Sequence, residues 1–178
     1  MFTGISKEIC EEAWEGTLPL IQHFADSGRF NKLAGTVVVV DPRNIDRPKG
    51  EHLQDVFDDA IIFTGFVGEV HEAGFTTVAL SKAFVTWKSG LASAVVQQRH
   101  PYLYSEGDTF WGGSTITEGG LVVAFSGVQQ VHDEAISEIM ASLIVAISRD
   151  EVTKDDGVLE GWNADKWSFI GPKPTTEN

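Results

Sequence analysis

Residues 110–135 read FWGGSTITEGGLVVAFSGVQQVHDEA, and the reading of the fold turns on them. Two short runs, STIT at 114–117 and LVVAFSG at 121–127, flank Glu118-Gly119-Gly120. Glycine there permits the positive φ of a tight hairpin, so the stretch predicts two antiparallel strands. Beyond it, Ile136, Ile139, Met140, Leu143, Ile144 and Ile147 recur at steps of three and four across 133–149. That period predicts a helix with one buried face. Asp133 and Glu134 are expected to open it and Arg149 to lie in its last turn, as the helix dipole favours.

Working toward the N-terminus, ASAVVQQR at 92–99 predicts a short helix stopped by Pro101. TTVALSKAFVTWKSG at 76–90 predicts a longer one, capped by Thr76 or Thr77 and ended by Gly90. Val78, Leu80, Ala83, Phe84 and Trp87 would form its apolar side. GTVVVVD at 35–41 is a β-branched run suited to a strand buried on both faces, and AIIFTGF at 60–66 is a second strand. The Pro, Gly and charges of PRNIDRPKGEHLQD, 42–55, read as an exposed excursion between them. Residues 6–27 carry helical spacing, with Ser6 as cap, Glu8 in the first turn, and Gly28 closing. Gly16 and Pro19 are expected to kink or split that helix. The order of elements predicts an α+β sandwich, a central antiparallel β-sheet flanked by helices.

The chain of 178 residues fits a single domain, placed at 1–156. A tail, 157–178, holds Trp162, Trp167 and Phe169 among polar residues and is expected to pack on the domain or on a partner subunit. Its last residues, PKPTTEN, read as disordered. Lys and Arg number 13 against 26 Asp and Glu, a net charge of −13 that repels nucleic acid and anionic membrane surfaces. No leader or membrane span is apparent, so a cytoplasmic protein is expected. The one cysteine, Cys10, excludes an internal disulfide and reads as a small buried hydrophobe rather than a nucleophile.

The residues that carry chemistry lie around the same stretch. Gly112 and Gly113 precede one strand and Gly127 follows the next, places where a ligand or another backbone can approach. With the free N–H groups of the last helix they would seat a carboxylate or phosphate, for which Asp133 and Glu134 compete. The competing reading is that these glycines serve turn geometry alone. Lys82 interrupts an apolar helix: either it snorkels or pairs with a carboxylate, or it lines a pocket and neutralises an anionic ligand. His23 reads as a core or interface residue and His52 as solvated, while His71, His100 and His132 are candidates for chemistry. No two histidines share the i,i+4 spacing of a metal site, so no metal is expected.

ALSKAFVTWKSGLAS followed by GGSTITEGGLVVAFSGVQQVHDEAIS resembles the GlcG/HbpS-like family, which includes the C-terminal domain of PduO-type proteins. The matching features are Lys82-Ala83, Gly112-Gly113, Gly119-Gly120, Gly127 and Asp133-Glu134, with VVVVDP at 37–42 resembling the family's first strand. The resemblance spans roughly residues 5–148. It implies an α/β sandwich, a homo-oligomer, and a small-molecule ligand, with haem as the cofactor. For haem, His100, Trp111, Gly112, Gly113 and Gly127 are the expected binding residues. Two departures fall where the pocket would lie: the charged loop after the first strand, and Val128-Gln129-Gln130 in place of a second glycine. The alternative is a cofactor-free enzyme moving a proton on a small organic acid. There His71, His100 or His132 would be the base, Lys82 the electrostatic clamp, and Asp133 or Glu134 the orienting acid. A third reading is an interaction module working through the aromatic tail.

Overall fold

The central strand is made by valine. Val37, Val38, Val39 and Val40 are all fully buried, so both faces of this strand must be covered. The structure, a computed structural model, describes residues 5–30, 33–41, 52–68 and 73–154. Within these, the elements run α1 (Lys7–Asp26), β1 (Ala34–Val40), α2 (Leu53–Ala60), β2 (Ile61–Gly68), α3 (Ala73–Ser89), α4 (Ser93–Arg99), a 3-10 turn at Pro101–Leu103, β3 (Ser114–Ile116), β4 (Val122–Ser126) and α5 (Gln130–Lys154). The strands form one sheet in the order β2-β1-β4-β3, antiparallel throughout. The expected α+β fold with an antiparallel sheet is the fold observed.

Alternation along β1 and β4 divides the interior in two. Val37, Val39, Val123 and Phe125 face one way and pack with Ile9, Trp14, Ile21 of α1 and Ile136, Met140, Ile144 of α5. Val38, Val40, Val122 and Ala124 face the other way and pack with Phe57 of α2 and Ala79, Ala83, Trp87 of α3. Each large side chain so buried contributes about 1.5–3 kcal/mol, which fixes the register on both faces. Cys10 lies fully buried in the first of these cores, and burial pushes its thiol up to about 12, as a structural hydrophobe would show.

Several elements differ from the sequence reading, each for a local reason. α1 is one helix of 20 residues, neither split nor interrupted. Pro19 and Glu15, whose carbonyl loses its amide partner, both lie on the exposed side, while Ala13, Trp14, Thr17 and Ile21 hold the inner side. Ser6 does cap the helix, its hydroxyl accepting from the Ile9 amide at 3.4 Å. The stretch read as an excursion ends in α2, whose Val56, Phe57 and Ala60 are buried beneath a polar outer face of Gln54, Asp55, Asp58 and Asp59. α3 starts at Ala73, so Thr76 is inside the helix rather than its cap, and its hydroxyl meets that of Thr36 on β1 at 3.1 Å. Gly90 ends the helix with φ +71°, as expected. α5 starts earlier and ends later than 133–149. The carbonyl of Gln129 accepts from the amides of His132 and Asp133, which starts the first turn at Gln130. Asp133 is thereby turned inward, and Arg149 stands more than a turn from the end. His71, most of the excursion and the tail at 157–178 lie outside the described residues.

Candidate functional site

Lys82 sits on the third helix, the element that covers one face of the sheet, and it is 1% exposed. Asp133 sits in the first turn of α5, on the other face, and is 3% exposed. The two meet past the end of β4: Lys82 Nζ donates to Asp133 Oδ2 at 2.7 Å and to the carbonyl of Phe125 at 3.0 Å. Asp133 Oδ1 accepts from the Val128 amide at 3.1 Å, so this carboxylate takes backbone donors at the amino end of α5. Burial dominates both ionisations: it pushes the Asp133 carboxyl up to about 6 and the Lys82 ammonium down, and the charge of each partner opposes the shift of the other. Of the two readings of Lys82, pairing with a carboxylate is the one seen, although the side chain also borders a cavity.

Glycine makes room for this pair. Gly113 has φ +121°, and a Cβ there would stand 2.7 Å from both Lys82 Nζ and Asp133 Cβ. Its carbonyl accepts from the Phe125 amide at 2.9 Å and from the Ser137 hydroxyl at 2.8 Å, which fixes the loop against β4 and α5. A Cβ at Gly112 would meet Gln130 and Glu134, and one at Gly127 would fall 2.0 Å from the carbonyl of Ala34. What each of these glycines admits is another part of the same chain. Nearby, Gln130 Nε2 donates to Gln97 at 2.8 Å and to Glu134 at 2.9 Å, while Gln97 donates to the Phe110 carbonyl at 2.8 Å. These bonds hold the Phe110–Gly112 loop over the site.

A cavity of about 550 Å³ opens beside the pair. Gly74, Phe75 and Val78 of α3 form one wall, with Lys82 at its end. The end of β4 and the turn after it, Ser126 to Gln129, form the opposite wall, and Trp111, 61% exposed, stands at the rim. Phe125 points into the core shared with α1 and α5, so strand alternation turns Ser126 toward α3. Ser126 is 5% exposed, and its hydroxyl has no bonding partner among the described residues. Ser126 and Phe75 escaped the sequence reading, whereas Val128, Gln129 and Gln130 line the cavity as expected. The available signal was a polar residue closing an otherwise apolar buried strand.

The structure brings Lys82, Asp133, Trp111 and Gly127 to this cavity, with Gly112 and Gly113 behind the pair. His132 and His100 are not among its lining residues. His132 packs edge-on against Phe30, ring centres 5.0 Å apart, with Nδ1 2.9 Å from Gln129 Oε1. His100 pairs with the hydroxyl of Tyr102 at 2.9 Å on the surface. His52 is exposed as expected, whereas His23 is exposed in this chain rather than part of its core. Among the described residues no group of three or more His, Cys, Asp or Glu is placed to hold a metal ion.

A larger cleft, about 920 Å³, lies between the β3–β4 hairpin and the outer part of α5, bordered by Thr117, Glu118, Gly119, Glu138 and Arg149. The buried carboxylate on its wall, Asp41, already has a partner. The Lys82 ammonium and the Ser126 hydroxyl line the smaller cavity instead.

No family model matches the chain, and no curated protein matches its sequence. Solved structures do. ORFY from Klebsiella pneumoniae, a DUF336 protein, matches with a TM-score of 0.50 at 13% identity, over 76% of this chain and 89% of that one. A double mutant of HbpS from Streptomyces reticuli matches with a TM-score of 0.54 at 16% identity, over 80% and 88%. A PduOC:haem complex matches with a TM-score of 0.46 at 14% identity, over 74% and 91%. At such identities the likeness defines the architecture: this chain has the α+β fold of the DUF336 and HbpS structures. Among the described residues no helix is long and apolar enough to cross a membrane.

Proposed function

We propose that this protein binds a small organic molecule in the cavity between α3, the end of β4 and the start of α5, as a divergent member of the GlcG/HbpS type. One observation carries the reading: a cavity of about 550 Å³ ends on a fully buried lysine–aspartate pair and opens under an exposed tryptophan. Cavities of this size with few convergent polar groups are the usual form of small-molecule sites. The pair holds an ammonium at the end of an otherwise apolar wall, which favours a ligand with a negative end. A homo-oligomer belongs to the same reading, supported by the exposed apolar side chains Phe110, Trp111 and Val131.

Haem, which the sequence resemblance implies, fits the described lining poorly. None of the described lining residues is a His, Cys, Met or Tyr able to ligate iron, and the one basic nitrogen is engaged by Asp133. The ligand read from this lining is therefore metal-free. A second reading keeps the cavity and makes the protein a cofactor-free enzyme. It draws on Asp133, whose carboxyl at about 6 is poised to exchange a proton near neutrality, with Lys82 holding the substrate's charge.

Titration with 1-anilinonaphthalene-8-sulfonate tests the cavity. Saturable one-to-one fluorescence enhancement is expected, lost in Val78→Trp, which fills the wall, and weakened in Trp111→Ala, with unchanged circular dichroism as the control for folding. Binding that survives both substitutions would place the ligand elsewhere. A haemin titration of the same protein is expected to give no Soret shift that depends on His100 or His132.

A further inference from the structure

The inference here rests on the reading of the cavity as a ligand site and names what the ligand must carry. An ammonium has three N–H donors. Lys82 spends two of them, on Asp133 Oδ2 and on the Phe125 carbonyl. The third has no acceptor among the described residues. The hydroxyl of Ser126, a residue 5% exposed on the same cavity, also has no partner among the described residues. A buried donor without an acceptor costs free energy that a ligand oxygen recovers. Two such donors at the end of one cavity suit the two oxygens of a carboxylate. Above them the walls are Phe75 and Val78 and the rim is Trp111, surfaces that suit a flat apolar body.

A carboxylate placed on Lys82 comes close to the Asp133 carboxylate that shares the same ammonium. Two carboxylates around one buried charge cannot both stay ionised at ordinary cost. Among the described residues the surroundings offer no second cation. Glu134, next in the helix, adds negative charge and is held by Gln130. The other charged residue of α3, Lys88, is tied to Asp108. The described stretch of β4 carries no charge, and His132 turns away to Phe30 and Gln129.

We propose that the cavity takes a small carboxylic acid with a flat apolar body, its carboxylate on Lys82 and Ser126, and that one proton is taken up by Asp133 as it binds. The balance is simple: ligand carboxylate, Asp133 carboxylate and one proton give a complex in which the ligand is ionised and Asp133 is neutral. No bond other than O–H forms. The value of about 6 for Asp133 before binding sets the pH range over which the uptake is seen.

Isothermal titration of the full chain with 2-naphthoate, in phosphate and in Tris at the same pH, counts the protons. One proton taken up per ligand is expected at pH 7.5 and above. Affinity should rise about tenfold per pH unit as pH falls from 8 and level off below about 6. Asp133→Asn should still bind, with no proton uptake and a flat pH profile, and Ser126→Ala should bind about three- to tenfold more weakly. The neutral analogue 2-naphthamide should bind more weakly and without pH dependence. Equal binding of amide and acid, or binding of the acid with no proton uptake, would overturn the proposal. So would failure of naphthoate to displace the anilinonaphthalene sulfonate from wild-type protein, while leaving the cavity reading standing. Absence of sulfonate binding in wild type is the separate result that sinks the cavity reading itself.

Discussion

Two glycine clusters sit at opposite ends of β4 and do different physical work. At the hairpin end, Gly119 has open space where a Cβ would go, with Thr117 Oγ1 at 3.8 Å, and Gly120 alone carries a positive φ, +83°. At the other end, Gly113 and Gly127 are closed around, the first by the Lys82–Asp133 pair and the second by the backbone of β1. Both clusters look alike in the sequence. One serves a turn, and the other is a close approach without which a buried charge pair has no room. Turn glycines are a matter of backbone freedom; the second kind is a matter of volume.

Breaking the closed end should therefore cost far more than altering the open one. Lys82→Ala is expected to have the largest effect, about 3–5 kcal/mol lower stability by urea denaturation, because it strands the Asp133 carboxylate in the interior. The double substitution Lys82→Met, Asp133→Leu should cost less than Lys82→Ala, since it removes both charges together. Gly113→Ala should cost about 2–4 kcal/mol, from backbone strain at φ +121° together with displacement of the pair. Gly120→Ala should cost about 1–2 kcal/mol through its positive φ. Gly119→Ala should lie within about 0.5 kcal/mol of wild type. If Gly113→Ala and Gly119→Ala proved equal, the distinction between the two ends would fail.

A pH measurement sharpens the same contrast. Asp133 sits at about 6 in the folded chain against an ordinary 3.8, so between these values the native state holds more proton than the unfolded one. This group therefore favours the fold most at low pH, and its contribution falls as pH rises through that window. Asp133→Asn should remove that component of the slope, seen by comparing melting temperatures at pH 4 and pH 6.5. Gly119→Ala should leave the slope unchanged.

The contrast also explains what could be read in advance. The valine run of β1, the hairpin about Gly119-Gly120 and the Ile/Met/Leu period of α5 are local signals, and each placed its element. Helix α2 was hidden because Asp55, Asp58 and Asp59 crowd its outer face while only Val56, Phe57 and Ala60 turn inward. Lys82 and Asp133 could each be singled out, but they lie 51 residues apart, and nothing local to either one names the other. The role of Gly113 follows from that meeting and was legible only once it was seen. Ser126 was passed over because a serine at the end of a strand looks ordinary until the neighbouring helix is in place.

The Lys82–Asp133 bond joins the helix on one sheet face to the helix on the other. With the sheet between them, the two layers share one fastening at their common end. Peeling either layer away exposes a charge from the opposite one, so partial opening gains little over complete opening. Amide hydrogens of α3 and α5 should then exchange through a common event, at matching free energies, despite belonging to separate hydrophobic clusters.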